Sequence, residues 1–188
     1  MRHIASTVRE GVCSPLVQAP DDVLIYRAKF FGSLPSAFAL GEVLGEGLSR
    51  ALAAGRLELP QALIPVPLHH RRLRQRGFNQ AQLIAQRVAK RFAVPLRPRW
   101  VSRRRDTMMQ SSLKRPARQR NVANAFRATL PKGVHVAIID DVMTTGATAT
   151  ALAWTLLEAG AARVDAWTVA RAGNPDDESV ISRFTLRV

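Results

Sequence analysis

The sequence predicts an α/β fold in which a mainly parallel, twisted sheet is flanked by helices, and three segments in its second half carry this prediction. Residues 134–139 are apolar apart from one histidine, as in strands buried on both faces of a sheet. Residues 151–160 follow as a helix and residues 162–171 as a second strand, which together make a βαβ unit. We expect residues 184–188 to add an edge strand.

The first third of the chain predicts a lead-in, a helix and a strand. Residues 1–20 contain two prolines and predict an irregular or extended segment, after which we expect one domain over 21–188. Apolar residues at helical spacing indicate a helix over 36–54, which Gly55 ends. Residues 61–68 suit a strand that stops at a tight, proline-containing loop.

The middle of the chain alternates helical and basic segments. Asn79 is placed to cap a helix whose apolar stripe runs from Ala81 to Phe92. Residues 96–101 fit a strand, residues 102–119 a basic mobile loop, and residues 118–126 a short helix. No linker divides these segments, so they belong to the same domain.

Composition excludes several classes of protein. Cys13 is the only cysteine, so neither an internal disulfide nor a zinc site built from cysteines can form. The longest uncharged stretch, residues 142–157, is too short for a membrane span of about 20 apolar residues and contains several threonines. The first ten residues lack the apolar region of a secretory signal. We therefore expect a cytoplasmic protein without membrane insertion.

The net charge of +14 is concentrated in one segment of the chain. Residues 69–120 contain 16 Lys and Arg and one acid, Asp106, so this segment carries +15 while the remainder sums to −1. Most of the basic residues are arginine, whose planar guanidinium suits phosphate. A GC-rich genome would also favour arginine, but it would not cluster it. The clustering predicts contact with polyanions.

Two adjacent acids, Asp140 and Asp141, follow the buried strand at the edge where open α/β sheets bind ligands. A hydroxyl-rich loop comes next, just before a helix, where backbone N–H groups bind phosphate. Carboxylates beside a phosphate-binding loop suit a ligand that also carries hydroxyls, and ribose 5-phosphate has that layout. The loop residues are Thr144, Thr145, Gly146, Ala147 and Thr148.

Other interpretations of this segment are weaker. There is no Walker A loop, and Gly45-x-Gly47 lacks the third glycine of a dinucleotide site. A phosphoryl-receiver acid pair would need further acid and lysine positions on later strands, and these are absent. An acidic strand end followed by a threonine helix cap is the remaining structural alternative.

Residues 136–148 resemble the phosphoribosyl pyrophosphate (PRPP) signature of the type I phosphoribosyltransferases: a hydrophobic strand, two acids, two hydrophobic residues and TTGxT. The resemblance implies a phosphoribosyltransferase-like domain in which Asp140 and Asp141 hold the ribose 2′- and 3′-hydroxyls. It also implies that residues 144–148 cradle the 5′-phosphate. Mg²⁺ would be held through the pyrophosphate and ribose oxygens of PRPP, with no direct protein ligand.

A narrower resemblance connects the chain to the ComF/GntX competence-protein family over roughly residues 20–171. It is carried by IYRAKFFGSL at 25–34, by PVPLHHRRLRQRGFNQAQLIA at 65–85, and by a spaced pattern further on. That pattern consists of Gln110, Arg120, Asn121, Val122, Ala125 and Phe126. Many members of the family begin with a four-cysteine zinc module, which one cysteine cannot build. We therefore expect no structural zinc, with the chain being either a natural short form of the family or one whose start is assigned too late.

The resemblance also assigns the basic residues. Phosphoribosyltransferases bind pyrophosphate on a loop after the first core strand, here residues 65–72. The residues facing pyrophosphate would be His69, His70, Arg71 and Arg72. A flexible hood closing over the reaction centre, or a nucleic-acid contact, would involve Arg74, Arg76, Arg103, Arg104, Arg105 and Gln110. The alternatives are a solvated histidine pair, a helix-capping role for Asn79 and a disordered basic loop.

Two functions fit these residues. The first is a PRPP-binding protein that contacts single-stranded DNA during DNA uptake, with a protein of the competence machinery as a further partner. The second is an active phosphoribosyltransferase that transfers ribose 5-phosphate from PRPP to a nucleobase or amine and releases pyrophosphate. The concentrated charge favours the first. Aromatic residues are only 6% of the chain, which argues against a stacking platform, and no catalytic residue can be named.

Overall fold

A computed structural model of the chain describes residues 9–11, 34–104, 125–143, 146–171 and 183–187. Its elements in chain order are β1 (Arg9–Gly11), α1 (Leu34–Ala53), β2 (Ala62–Pro65), α2 (His70–Arg76), α3 (Gln80–Phe92), a 3₁₀ turn (Pro98–Trp100), β3 (Val101–Arg103), β4 (Phe126–Ala128), β5 (His135–Met143), α4 (Ala147–Glu158), β6 (Arg163–Arg171) and β7 (Arg183–Arg187). No helix in these ranges is both long and apolar enough to cross a membrane.

The main sheet has five strands in the order β1-β7-β6-β5-β2. β2, β5 and β6 are parallel; β7 runs antiparallel to β6, and β1 runs antiparallel to β7. The predicted α/β class is confirmed, because parallel strands flanked by helices form the centre of the sheet. The strand predicted at 184–188 is present as β7. It is not the edge strand that we predicted, because β1 pairs with it on the side away from β6.

Hydrophobic layers cover both faces of the sheet. Helices α1 and α3 pack over Ala137 and Ile139 on one face. Helix α4 and the separate two-stranded β3–β4 sheet pack over Val136 and Ile138 on the other. Successive residues of a strand point to opposite faces, so a single apolar run supplies both layers. This is why residues 134–139 lack the alternation of a strand with one face in water.

Helices α1 and α3 approach each other closely where α1 carries glycine. A Cβ atom on Gly41 would lie 2.7 Å from Cβ of Arg87, and one on Gly45 would lie 2.8 Å from Cδ of Arg91. These glycines lower the helix propensity of α1 but allow the two helices to pack. The predicted helix over 36–54 is confirmed, with its start at Leu34.

Several predicted boundaries are wrong. β5 continues through the acid pair to Met143, because its last residues pair with the end of β6. Residues 98–100 form a 3₁₀ turn within the strand predicted over 96–101. Residues 126–128 form β4 and not the end of a helix, because they pair with β3. Helix α4 begins four residues before the predicted start, at Ala147.

Candidate functional site

The carboxyl ends of β2, β5 and β6 lie side by side and bring the acid pair next to the loop that follows β2. Pro65 pairs with Ile139, and the amide of Val66 donates to the carbonyl of Ile139 at 2.9 Å. Asp140 in turn lies opposite Thr168 on β6. The segment that begins at Pro65 and the acid pair therefore share one edge of the sheet.

Asp140 and Asp141 lie on the last part of β5 and are half-buried. Oδ1 of Asp140 accepts from the amide of Asp141 at 3.0 Å, and Oδ1 of Asp141 accepts from the amide of Val142 at 2.7 Å. These bonds orient one oxygen of each carboxylate. Strand alternation places Asp140 on the α4 face and Asp141 on the α1–α3 face, so the two carboxylates flank the end of the strand from opposite sides.

Gly146 directly precedes helix α4 and follows the end of β5 after two residues. This residue is the N-cap and has φ 69°, a left-handed conformation that favours glycine. Its carbonyl accepts the first helical bond, from the amide of Thr150 at 2.8 Å. Ala147 and Thr148 form the half-buried first turn. The predicted phosphate loop is thus described only from Gly146 onward, and Thr144 and Thr145 lie outside the described residues.

Thr168 belongs to this edge and was missed by sequence reasoning. It is 1% exposed, and its Oγ1 has no hydrogen-bond partner within the described ranges. It shares the α4 face of the sheet with Val164 and Ala166, and with Asp140 on the neighbouring strand. A threonine between Trp167 and Val169, inside the strand predicted over 162–171, was the signal available in the sequence.

The histidine pair after β2 starts a helix that the sequence analysis did not predict. His69 is the N-cap of α2 and is only 6% exposed, and its Nδ1 accepts from the amide of Arg71 at 3.4 Å. His70 is exposed, with its ring centroid 4.0 Å from that of His69. The solvated-pair alternative therefore fails for His69, which is buried, and holds for His70.

Asn79 does not cap α3 with its side chain, contrary to the prediction. Its Nδ2 donates to the carbonyl of Val66 at 3.0 Å, and no side-chain capping bond forms. The next residue, Gln80, is buried, and its Oε1 accepts from Nη1 of Arg76 at 2.9 Å. Asn79 and Gln80 thus connect the start of α3 to both ends of the segment that carries α2.

The arginines predicted to form one hood group lie on separate elements. Arg74 is exposed and Arg76 half-buried on α2, the helix that also carries Arg71 and Arg72 of the predicted pyrophosphate loop, of which Arg71 is exposed and Arg72 half-buried. Arg103 and Arg104 belong to the β3–β4 region, where the Arg103 guanidinium lies 5.5 Å from the Phe126 ring centroid. Arg105 and Gln110 lie outside the described residues.

Part of the basic segment has a structural role. The Arg87 guanidinium lies 4.3 Å from the Phe38 ring centroid, and Nη2 of Arg91 pairs with Oε2 of Glu46 at 2.7 Å. Both contacts join α3 to α1. Arg87 and Arg91 are therefore engaged in contacts with α1. The positive charge that remains for a polyanion is smaller than the +15 of residues 69–120.

No group of three or more His, Cys, Asp or Glu side chains is arranged to hold a metal ion among the residues that the structure describes.

Comparison with known proteins finds relatives that are named DNA utilization and competence proteins. No family model matches it. It is 38% identical over 153 residues to the DNA utilization protein YhgH of Salmonella typhimurium, covering 81% of this chain and 67% of that protein. It is 34% identical over 157 residues to Competence protein F of Haemophilus influenzae, covering 81% and 69%. A third relative is Competence protein ComFC of Bacillus subtilis, 35% identical over 114 residues, covering 58% and 44%.

Solved structures similar to this chain include two at low sequence identity. The glutamine PRPP amidotransferase from B. subtilis, complexed with ADP and GMP, has a TM-score of 0.47 and 17% identity, covering 71% of this chain and 26% of that chain. TT1426 from Thermus thermophilus has a TM-score of 0.42 and 20% identity, covering 72% and 74%.

Proposed function

The chain belongs to the family of the DNA utilization protein YhgH and Competence protein F, and from this membership we propose that it binds PRPP with Mg²⁺ and contacts single-stranded DNA in the cytoplasm during DNA uptake or utilization. The observation that carries the PRPP part is the meeting of three features at one edge of the sheet. These are the acid pair at the end of β5, the glycine-initiated helix α4 and the basic segment after β2.

Each feature suits a different part of PRPP. Asp140 and Asp141 flank the strand end and can accept hydrogen bonds from the ribose hydroxyls. The start of α4 offers backbone N–H groups and the positive end of the helix dipole to the 5′-phosphate. Arg71 and Arg72, at the start of α2, supply positive charge for pyrophosphate. Magnesium bound with PRPP would neutralise part of the phosphate charge.

Titration calorimetry of the protein with PRPP in the presence of Mg²⁺ tests this proposal. We expect saturable binding, weakened when Mg²⁺ is omitted, and weaker binding of ribose 5-phosphate because it lacks the pyrophosphate that the basic segment would contact. Absence of PRPP binding by a folded protein would contradict the proposal.

The DNA part rests on charge and on family membership. The excess charge lies in one segment, and exposed arginines remain there after α1–α3 packing is taken into account. Contacts to phosphate carry no base information, so binding should fall with salt and depend little on sequence. Fluorescence anisotropy with labelled single strands at several salt concentrations tests it, and no binding at low salt would contradict it.

The second candidate is an active phosphoribosyltransferase, favoured by the same acid pair and helix start. The acceptor nitrogen would form a bond to the ribose C1 while the bond from C1 to the pyrophosphate oxygen breaks and pyrophosphate leaves. The protein would act by positioning the reactants and stabilising the departing charge. Release of pyrophosphate from PRPP in the presence of nucleobases or amines distinguishes this enzyme from a protein that only binds PRPP.

A further inference from the structure

Four arginines on and beside the β3–β4 sheet are exposed to solvent. They are Arg97, Arg99, Arg104 and Arg127. None of them forms an ion pair with another residue in the described part of the chain. We call these four residues the hairpin arginines. Elsewhere the structure pairs arginine with acids, as in Arg91 with Glu46 and Arg163 with Asp165.

The pairing of β3 with β4 explains why Arg104 and Arg127 point to solvent. Val101 pairs with Ala128, and Arg103 pairs with Phe126, on the face that lies on the hydrophobic core. The opposite face carries the Ser102–Arg127 pair, and strand alternation adds Arg104 to it. Because Val101 and Phe126 are buried, turning this face inward would remove them from the core.

The hairpin arginines have no acidic neighbour along the sequence to neutralise them. Between Glu58 and Asp140 the chain contains one acid, Asp106, which lies outside the described residues. Glu58 itself pairs with Arg163 at 2.7 Å. The exposed face also presents hydroxyls at Ser102 and Thr129, which can donate to phosphate oxygens beside the guanidinium groups.

Helix α2 is the competing basic surface, and it is less firmly held. It has seven residues and buries none of them. Its Arg72 is half-buried, and Arg76 is bonded to Gln80. Arg127, in contrast, lies on a strand pair whose inner face is packed, Arg104 directly follows β3, and Arg97 and Arg99 lie at the 3₁₀ turn that leads into β3. A surface fixed by packing loses less conformational entropy when it binds.

We propose that the hairpin arginines, and not the arginines of α2, form the main phosphate-contact surface for single-stranded DNA. This inference rests on the proposed DNA-binding function and adds the surface to it. It places DNA on the β3–β4 sheet, while α2 serves the PRPP edge, so both ligands bind at once. Trp100 lies beside the surface, half-buried, with the Arg97 guanidinium 6.0 Å from its ring centroid.

Two variants with equal charge loss test the proposal. One is Arg97→Ala/Arg99→Ala/Arg127→Ala, and the matched control is Arg71→Ala/Arg72→Ala/Arg74→Ala on α2. The probe is fluorescein-labelled oligothymidylate, measured by anisotropy over a range of salt concentrations. Each phosphate contact adds about −0.7 to the log–log salt slope of single-strand binding, so the hairpin variant should be shallower by about 2. The α2 variant should keep the wild-type slope.

Further measurements separate the outcomes. An Arg97→Lys/Arg99→Lys/Arg127→Lys variant should retain most of the slope, because it keeps the charge. Saturating PRPP with Mg²⁺ should leave DNA affinity unchanged. Binding should also change the tryptophan emission of the wild type and not that of Trp100→Phe.

A shallower salt slope in the α2 variant, together with a wild-type salt slope in the hairpin variant, would overturn the inference. The proposed DNA-binding function would still stand. Wild-type protein that binds no DNA at low salt would overturn the DNA part of the proposed function as well. Thermal unfolding of each variant confirms that loss of binding is not loss of fold.

Discussion

Asp140 and Thr168 stand opposite each other on neighbouring parallel strands and point to the same face of the sheet. The carboxylate of Asp140 accepts a backbone hydrogen bond, whereas the buried hydroxyl of Thr168 has no partner among the described residues. A buried polar group without a partner lowers stability, so the sheet is not optimised for stability at the edge where the ligand is proposed to bind.

Thr168→Val should therefore stabilise the protein, because valine has nearly the same shape and no hydroxyl to desolvate. We expect a gain of about 1 kcal/mol in the free energy of unfolding, measured by urea denaturation. Thr155→Val is the matched control, since Oγ1 of Thr155 donates to the carbonyl of Ala151 at 2.8 Å. The control should lose stability, and an equal loss at Thr168 would show that its hydroxyl is satisfied.

Asp140→Asn combined with Asp141→Asn should weaken PRPP binding. An amide is a poorer acceptor for ribose hydroxyls than a carboxylate, and a lost bond to a charged group costs about 1.5–3 kcal/mol, or roughly 10- to 150-fold in affinity. Calorimetry with PRPP and Mg²⁺ measures the change. Glu158→Gln, at the exposed end of α4, makes the same chemical change away from the site and should bind as the wild type does. Unchanged affinity in the folded double variant would remove the acid pair from the site.

Asn79→Asp distinguishes the observed role of this residue from helix capping. Aspartate caps helices as well as asparagine does, so a capping residue would tolerate the change. The structure instead requires a donor to the Val66 carbonyl, which aspartate lacks. We expect Asn79→Asp and Asn79→Ala each to lower the free energy of unfolding by about 1 kcal/mol. Wild-type stability of Asn79→Asp, with a loss only in Asn79→Ala, would restore the capping interpretation.

A buried ionic cluster lies at the amino ends of β5 and β6. Disrupting it should lower the free energy of unfolding without changing the affinity for PRPP. Arg163 donates from Nε and Nη2 to the two Asp165 oxygens at 3.1 Å, and His135 Nε2 lies 3.1 Å from Asp165 Oδ2. Asp165 is fully buried, so Asp165→Asn leaves Arg163 without its buried counter-charge.

We expect a loss of about 3–5 kcal/mol in the free energy of unfolding for this change. Glu58→Gln is the control, because its side chain is 78% exposed and its pair with Arg163 should contribute less than about 1 kcal/mol. PRPP affinity measured well below the unfolding temperature should match the wild type in both variants. A similar loss of stability for the two changes would contradict the assigned role of burial.

Features that depend on local periodicity and on residue type could be predicted from the amino-acid sequence. The apolar run at 134–139, the stripe from Ala81 to Phe92 and the acid pair each carry their signal within a few residues. The α/β class, the parallel centre of the sheet and the location of Asp140 at its edge followed from these signals.

Tertiary structure decided what depends on partners distant in sequence. β5 extends to Met143 because β6 offers pairing partners as far as Arg171, and Asn79 binds a carbonyl 13 residues away. Contacts with α1 separate Arg87 and Arg91 from the hairpin arginines, although all of these except Arg127 belong to one basic segment. Charge and residue type are properties of the sequence, but burial and pairing arise only when distant segments meet, and these decide which arginines are exposed and which hydroxyl is buried without a partner among the described residues.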